Sequence, residues 1–361
     1  MNQTIYCIGI LVVFFLLSCN HRKKLDNTVS DSNCKIIKID LQKSIEAKSI
    51  ADIASSIQVR ILEEDKKNPI GVIDEMLITN TNIYILDRQR AKTLFVYERD
   101  GHFFNAIRHI GNGPGEYSAP RNFDLEKGTG NLVILDSNQR KFLYYTKDNR
   151  FLSTMSFKGT YCSSFCTTND SLLILDTGNS VSDADDINNY IVIINKNGEK
   201  ITELLPIPDY LEDITLSPRN PLQKINDTVI FLPSASNKVY NIANNQVSTR
   251  YEFDFGTLWA NENFFKNQKH KHPMAMAREW GRSYISFPNM LETRDAVHLN
   301  FHYNTKLYCF FYNKNTEQSL LFYTDAKEVS APLAVAESSF VSIIYVEEKN
   351  PKLVFFDIKW D

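Results

Sequence analysis

The chain has 361 residues, 43% hydrophobic and 12% aromatic, with a formal net charge of -3. That balance, with no basic block beyond residues 21–24, excludes a nucleic-acid-binding footprint, and six cysteines are too few for a disulfide scaffold in a chain this size. A chain of this length is also long for one compact core, unless a repeat or barrel extends that core around an axis.

At the N-terminus an apolar run from Ile5 to Leu17 is too short to cross a bilayer as a helix and ends in small residues before Cys19. This is the pattern of a secretion signal, and the charged His21-Arg22-Lys23-Lys24 argues against a membrane anchor or a buried strand. Leu16-Leu17-Ser18-Cys19 resembles the lipobox of bacterial lipoproteins. The resemblance implies a signal peptide over 1–18, cleavage before Cys19, and acyl chains on the Cys19 thiol and amine that anchor the mature chain in the membrane. Residues 19–34 are polar and suit a flexible tether. No acidic cluster resembling a surface-export signal follows Cys19, so the periplasmic side of the outer membrane is favoured over the cell surface.

From residue 35 to 361 the chain reads as one repeat-built domain. The early strands KIIKIDL and IQVRILEE have no complete unit of their own. Next, Asn82-Ile83-Tyr84-Ile85-Leu86-Asp87 leads to KTLFVYERDGHFFNAIRHIG, and Asn131-Leu132-Val133-Ile134-Leu135-Asp136 leads to RKFLYYTKDNRFLSTMSF. Each copy gives a strand ending in Asp, an aromatic-rich strand, a tight turn and a third strand. A third copy starts at Ser171 and is stretched by the acidic run Asp183 to Asp186, which reads as a solvated loop ahead of a Ca²⁺ site. Weaker copies start at Asp227 and Ala296, with an insertion around 257–290 in which MAMAREWGRSY reads as a helix after Pro273. It either caps one channel mouth or packs over the ring, with packing favoured.

Units of about forty to fifty residues with several short strands are the signature of a β-propeller, whose blades stack around an axis. Five starts plus one blade shared by the N- and C-terminal strands predict an all-β, six-bladed β-propeller. The stretch IGNGPGEYSAP, Ile110 to Pro120, then reads as the corner between an outer strand and the next inner strand. It is no Walker loop, because Gly115 is followed by Glu116-Tyr117 where Lys-Ser/Thr is needed.

The stretch GNGPGEYSAPRNFDLEKGTGNLVILDSNQRKFLYYTKDNRFL resembles the NHL-type repeat. Together with the lipobox and tether, the chain is similar to six-bladed β-propeller lipoproteins of Gram-negative envelopes, a family largely of unassigned function.

Candidate site residues are few. Glu116 and Tyr117, the polar pair of the corner, either bond backbone between blades or face a ligand, with the former favoured. Arg88 and Arg140 follow the strand-ending Asp87 and Asp136; these aspartates either line a channel mouth or, preferred, accept backbone N–H bonds in their turns. His298 and His302 alternate on a strand and could hold a metal, but hydrogen-bonded strand histidines are the better reading. No nucleophile elbow, zinc helix or phosphate loop is present, and no cofactor is expected. The expected function is a lipid-anchored envelope module that binds a protein partner or a glycan. The alternative is a propeller lyase or hydrolase with a metal or His centre at the channel, and His298 and His302 as first candidates.

Overall fold

The computed structural model describes residues 29–31, 34–159, 161–181, 188–212, 214, 216, 218–225, 228–268, 271–324, 330–346 and 350–360. The segment 1–18, Cys19, most of the tether, His270 and Asp183 to Asp186 lie outside the described residues.

Six sheets follow one another along the chain, and the first strand of each lines a common axial channel. These inner strands are Glu75–Ile78, Asn122–Leu125, Ser164–Thr167, Leu222–Ile225, Ser286–Glu292 and Ala334–Ala336, in blades one to six. Blade one continues outward through Asn82–Asp87, Thr93–Glu98 and Phe103–Ile107, each antiparallel to the last. The second strands read as unbroken apolar runs because each blade is sandwiched between two neighbours and both faces are covered. Ile83 and Ile85 pack toward blade six, whereas Tyr84 and Leu86 pack toward blade two. The hydrophobic core is accordingly six separate seams, one between each pair of neighbouring blades.

The ring closes where the sequence predicts. Ala54–Ile61, which contains IQVRI, runs antiparallel to Lys352–Ile358 as the outermost strand of blade six, with Val59 opposite Val354. The other early strand does something different. Lys35–Lys38 adds in parallel to the outer edge of blade four, and Ile45–Glu46 adds likewise to blade five. The N-terminal segment thus runs around the rim and covers two exposed edges before it closes the third, which removes free edge hydrogen-bonding groups.

The corner from Ile110 to Pro120 connects the outer strand of blade one to the inner strand of blade two. Glu116 caps it by accepting from Gly113 N at 2.8 Å. A Cβ on Gly111 would sit 2.0 Å from that carboxylate, so a larger residue there would have to displace the Glu116 cap, and Gly115 has φ +71, the left-handed region that favours glycine. Tyr117 is fully buried, its hydroxyl 2.8 Å from Ile107 O and 2.9 Å from Lys92 O.

Two helices, α1 (Glu262–Gln268) and α2 (Pro273–Ser283), fill the insertion between blades four and five. Pro273 opens α2, where it forfeits no hydrogen bond. Trp280 is fully buried against Phe265, Phe287 and Trp259, and this aromatic group extends the core of the seam between blades three and four. Neither helix lines the channel or its mouth. Cys162, Cys166 and Cys309 are free buried thiols, and burial pushes all three up.

Candidate functional site

The axial channel encloses a cavity of about 330 Å³ lined by all six inner strands. At one end it opens into a wider mouth cavity of about 540 Å³, and Glu75, Ser164, Arg219 and Pro221 line both. This is the end at which each inner strand begins, so the mouth is built from the crossings between blades and from turns after second strands. Arg88 comes from such a turn in blade one, and Arg121 and Arg219 come from the crossings into blades two and four. Tyr161 and Ser163 come from the crossing into blade three, and Ser164 opens the inner strand of that blade.

Each strand-ending aspartate anchors a crossing. Asp87 accepts from Gly71 N at 2.8 Å and Val72 N at 2.9 Å, just before the inner strand of its own blade, and from Arg90 N and Ala91 N in its turn. Asp136 does the same with Ser118 N and Gln139 N, and Asp176 with Ser163 Oγ and Gly178 N. Rigid crossings follow, and rigid crossings hold the arginines over the channel.

The electrostatics of the two channel ends differ. At the mouth, Glu75 is buried and accepts from Asn122 Nδ2 at 2.8 Å, with Arg88 Nη1 4.0 Å away. Burial outweighs these favourable contacts and pushes its carboxyl up to about 7. Arg88 is also drawn to Asp74, its Nε 3.3 Å from Oδ1. Arg121 donates to Ser163 O at 3.3 Å. Among the described residues neither Arg121 nor Arg219 forms an ion pair with a carboxylate. Ser164 is 5% exposed, and its Oγ is buried with no hydrogen-bond partner among the described residues. At the opposite end Lys224 ties three blades: its Nζ lies 2.7 Å from Asp124 Oδ2 and 3.0 Å from Thr167 Oγ1. That end is internally neutralised, whereas the mouth has cationic groups to offer a ligand.

Of the residues singled out from sequence, only Arg88 reaches the mouth cavity. Arg140 lies exposed in its turn with φ 50. Glu116 bonds within the corner, and the Tyr117 hydroxyl bonds backbone carbonyls of blade one. His298 and His302 lie on Ala296–Tyr303, the second strand of blade five, one strand removed from the channel. His298 is fully buried against Phe311 and Phe340 with Nδ1 3.1 Å from Phe310 O, and burial holds its imidazole down at about 3 and hence neutral. His302 is exposed, with its ring edge-on to Phe287. Among the described residues no group of three His, Cys, Asp or Glu side chains is placed to hold a metal. Arg121, Arg219, Tyr161 and Ser164 were not singled out. A local signal existed for two of them: Pro120-Arg121-Asn122 and Pro218-Arg219-Asn220 repeat the same tripeptide at equivalent crossings.

Six blades around an axial channel, closed by a strand from the opposite end of the chain, define a six-bladed β-propeller. The chain belongs to the DUF5128 family, described as 6-bladed beta-propellers, whose model matches residues 24–350. Among solved structures it is similar to a candidate exported protein of Bacteroides fragilis NCTC 9343, at 18% identity and a TM-score of 0.79 over 90% of this chain and 100% of that one. It is also similar to a member of the DUF4221 family from Bacteroides vulgatus ATCC 8482, at 9% identity and a TM-score of 0.59 over 85% of this chain and 97% of the other. Both likenesses concern the fold. No curated protein matches the chain.

Proposed function

We propose that this protein is a lipid-anchored binding module of the cell envelope, with its ligand site at the mouth of the propeller channel. The observation that carries this reading is the convergence of Arg88, Arg121 and Arg219 from three blades on one cavity of about 540 Å³. The size lies in the range of small-ligand and loop-binding clefts, and the rigid ring holds the groups in place without an ordering cost. The ligand is a glycan or an exposed loop of an envelope protein. The lipobox ending in Cys19 supports the envelope location and the outer-membrane anchor, with the domain on the periplasmic side. The description of the Bacteroides fragilis neighbour as a candidate exported protein agrees with it.

The test has two arms. Full-length protein, wild type and Arg219→Glu, is screened against arrayed glycans and envelope proteins; the reading expects ligands that the wild type retains and the variant loses, and hits indifferent to the variant would move the site elsewhere. In the second arm, Cys19→Ser is expected to shift the chain from the membrane to the soluble fraction. A variant that stays membrane-bound would remove the lipid anchor from the proposal.

A further inference from the structure

The mouth has a chemical bias as well as a shape. Three guanidiniums surround a cavity in which, among the described residues, Glu75 is the one carboxylate of the lining. Arg121 and Arg219 form no ion pair among the described residues, and Arg121 also lies in the field of the buried Glu75 and Asp176, so Arg219 is the guanidinium least compensated by the described carboxylates. Guanidinium groups recognise planar oxyanions through paired N–H donors, which selects carboxylates and related acids over neutral groups.

Two further observations narrow the class. Ser164 Oγ is a buried, unpartnered hydroxyl on the wall shared by mouth and channel, and a buried polar group without a partner costs free energy that a ligand hydroxyl would offset. Tyr161, 43% exposed, gives the same cavity a flat aromatic lining, suited to a ring with one apolar face. A folded protein partner needs a broad patch of surface, whereas this is a concave, partly open mouth of small-ligand size.

Resting on the reading of the mouth as a binding site, we infer that its ligand is an acidic saccharide: Arg88, Arg121 and Arg219 hold the carboxylate, Ser164 Oγ bonds a ring hydroxyl, and Tyr161 packs against the sugar ring. The guanidiniums set the preference for acid over neutral sugar, and the hydroxyl and aromatic groups set the preference for sugar over a bare anion.

The experiment is calorimetric titration of the full chain in detergent with four probes: digalacturonate, its neutral dimethyl ester, inorganic phosphate and a tetra-aspartate peptide. Saturable binding of digalacturonate, at least about tenfold tighter than each other probe, is expected. Arg219→Ala and Arg121→Lys should each weaken digalacturonate by about tenfold, and by more than they weaken the ester, with the fold retained by circular dichroism. Ester binding as tight as the acid would overturn the acidic preference yet leave a saccharide site at the mouth. Phosphate or tetra-aspartate binding as tightly as digalacturonate would overturn the saccharide assignment in favour of a general anion site or an acidic peptide. Saturation by none of the four would overturn the inference outright, and the array screen would then decide the broader reading alone.

Discussion

Asn122 Nδ2 donates to Glu75 Oε2 at 2.8 Å across the seam between blades one and two, and Asn122 Oδ1 accepts from Phe165 N of blade three at 3.0 Å. One side-chain amide thereby joins three inner strands at the channel mouth. The carboxylate it holds is buried, and hydrogen bonding from one amide with an arginine 4.0 Å away does not restore what water would supply.

Glu75 should therefore weaken the fold at neutral pH. Its carboxyl is raised from 4.5 to about 7, so the native state binds a proton that the unfolded chain has already released, and stability falls as pH rises from about 4.5 through about 7. Glu75→Gln removes the charge and keeps the shape. The variant is expected to gain about 2 kcal/mol near pH 8 and nothing near pH 4, read from denaturant unfolding at both values. A variant equal to wild type near pH 8 would show that the ionised carboxylate is solvated better than its burial implies.

Asp87 carries a larger structural duty. It is fully buried and accepts four backbone N–H groups that have no other acceptor in their loops. Asp87→Ala should cost about 3 kcal/mol, because it strands part-buried donors on two segments at once. The denaturation midpoint measures this, and a loss under about 1 kcal/mol would mean that water reaches the loop in its place.

The blades were legible because their second strands advertise themselves. NIYILD and NLVILD are apolar on both faces and end in an aspartate, a pattern forced by stacking and by the crossing each aspartate must tie down. The inner strands were harder to read, since four residues such as LQKI or three such as AVA, facing a channel on one edge, carry no periodicity to detect. The rim strands were legible as strands but not in their placement, because parallel addition to blades four and five depends on edges far away in sequence. The mouth was only partly legible for a related reason. Arg121 and Arg219 are 98 positions apart (219 minus 121), and only ring closure brings them to one cavity; the repeated Pro-Arg-Asn marks their equivalence but not their convergence.

The corner makes a smaller, sharper prediction. Tyr117 is enclosed, and its hydroxyl lies between two carbonyl oxygens, Ile107 O at 2.8 Å and Lys92 O at 2.9 Å. Tyr117→Phe preserves the ring packing and removes the only donor there among the described residues, so the loss should be about 1 to 2 kcal/mol with the fold retained. Unchanged thermal stability in the variant would mean that the two carbonyls find other donors when the corner relaxes.

The last prediction concerns Glu292, at the end of the inner strand of blade five. Its side chain is fully enclosed and receives Arg250 Nε at 2.9 Å and Nη2 at 2.5 Å, Lys314 Nζ at 2.9 Å and Tyr251 OH at 3.1 Å. Two cations on one buried carboxylate means that its removal strands both, so Glu292→Ala should cost about 3 to 5 kcal/mol. The cost belongs to the stranded charges, and removing one of them should recover part of it. Glu292→Ala with Arg250→Met is therefore expected to be more stable than Glu292→Ala alone, in a double-mutant cycle read by denaturant unfolding. Because the ion group is buried, raising salt should change the cycle little, in contrast to the exposed pair of Arg294 and Asp295, whose attraction salt screens. Strict additivity in the cycle would show that Arg250 reaches water once Glu292 is gone, leaving this seam to its packing and to the Gln223 hydrogen bonds with Met290 O and Glu292 N.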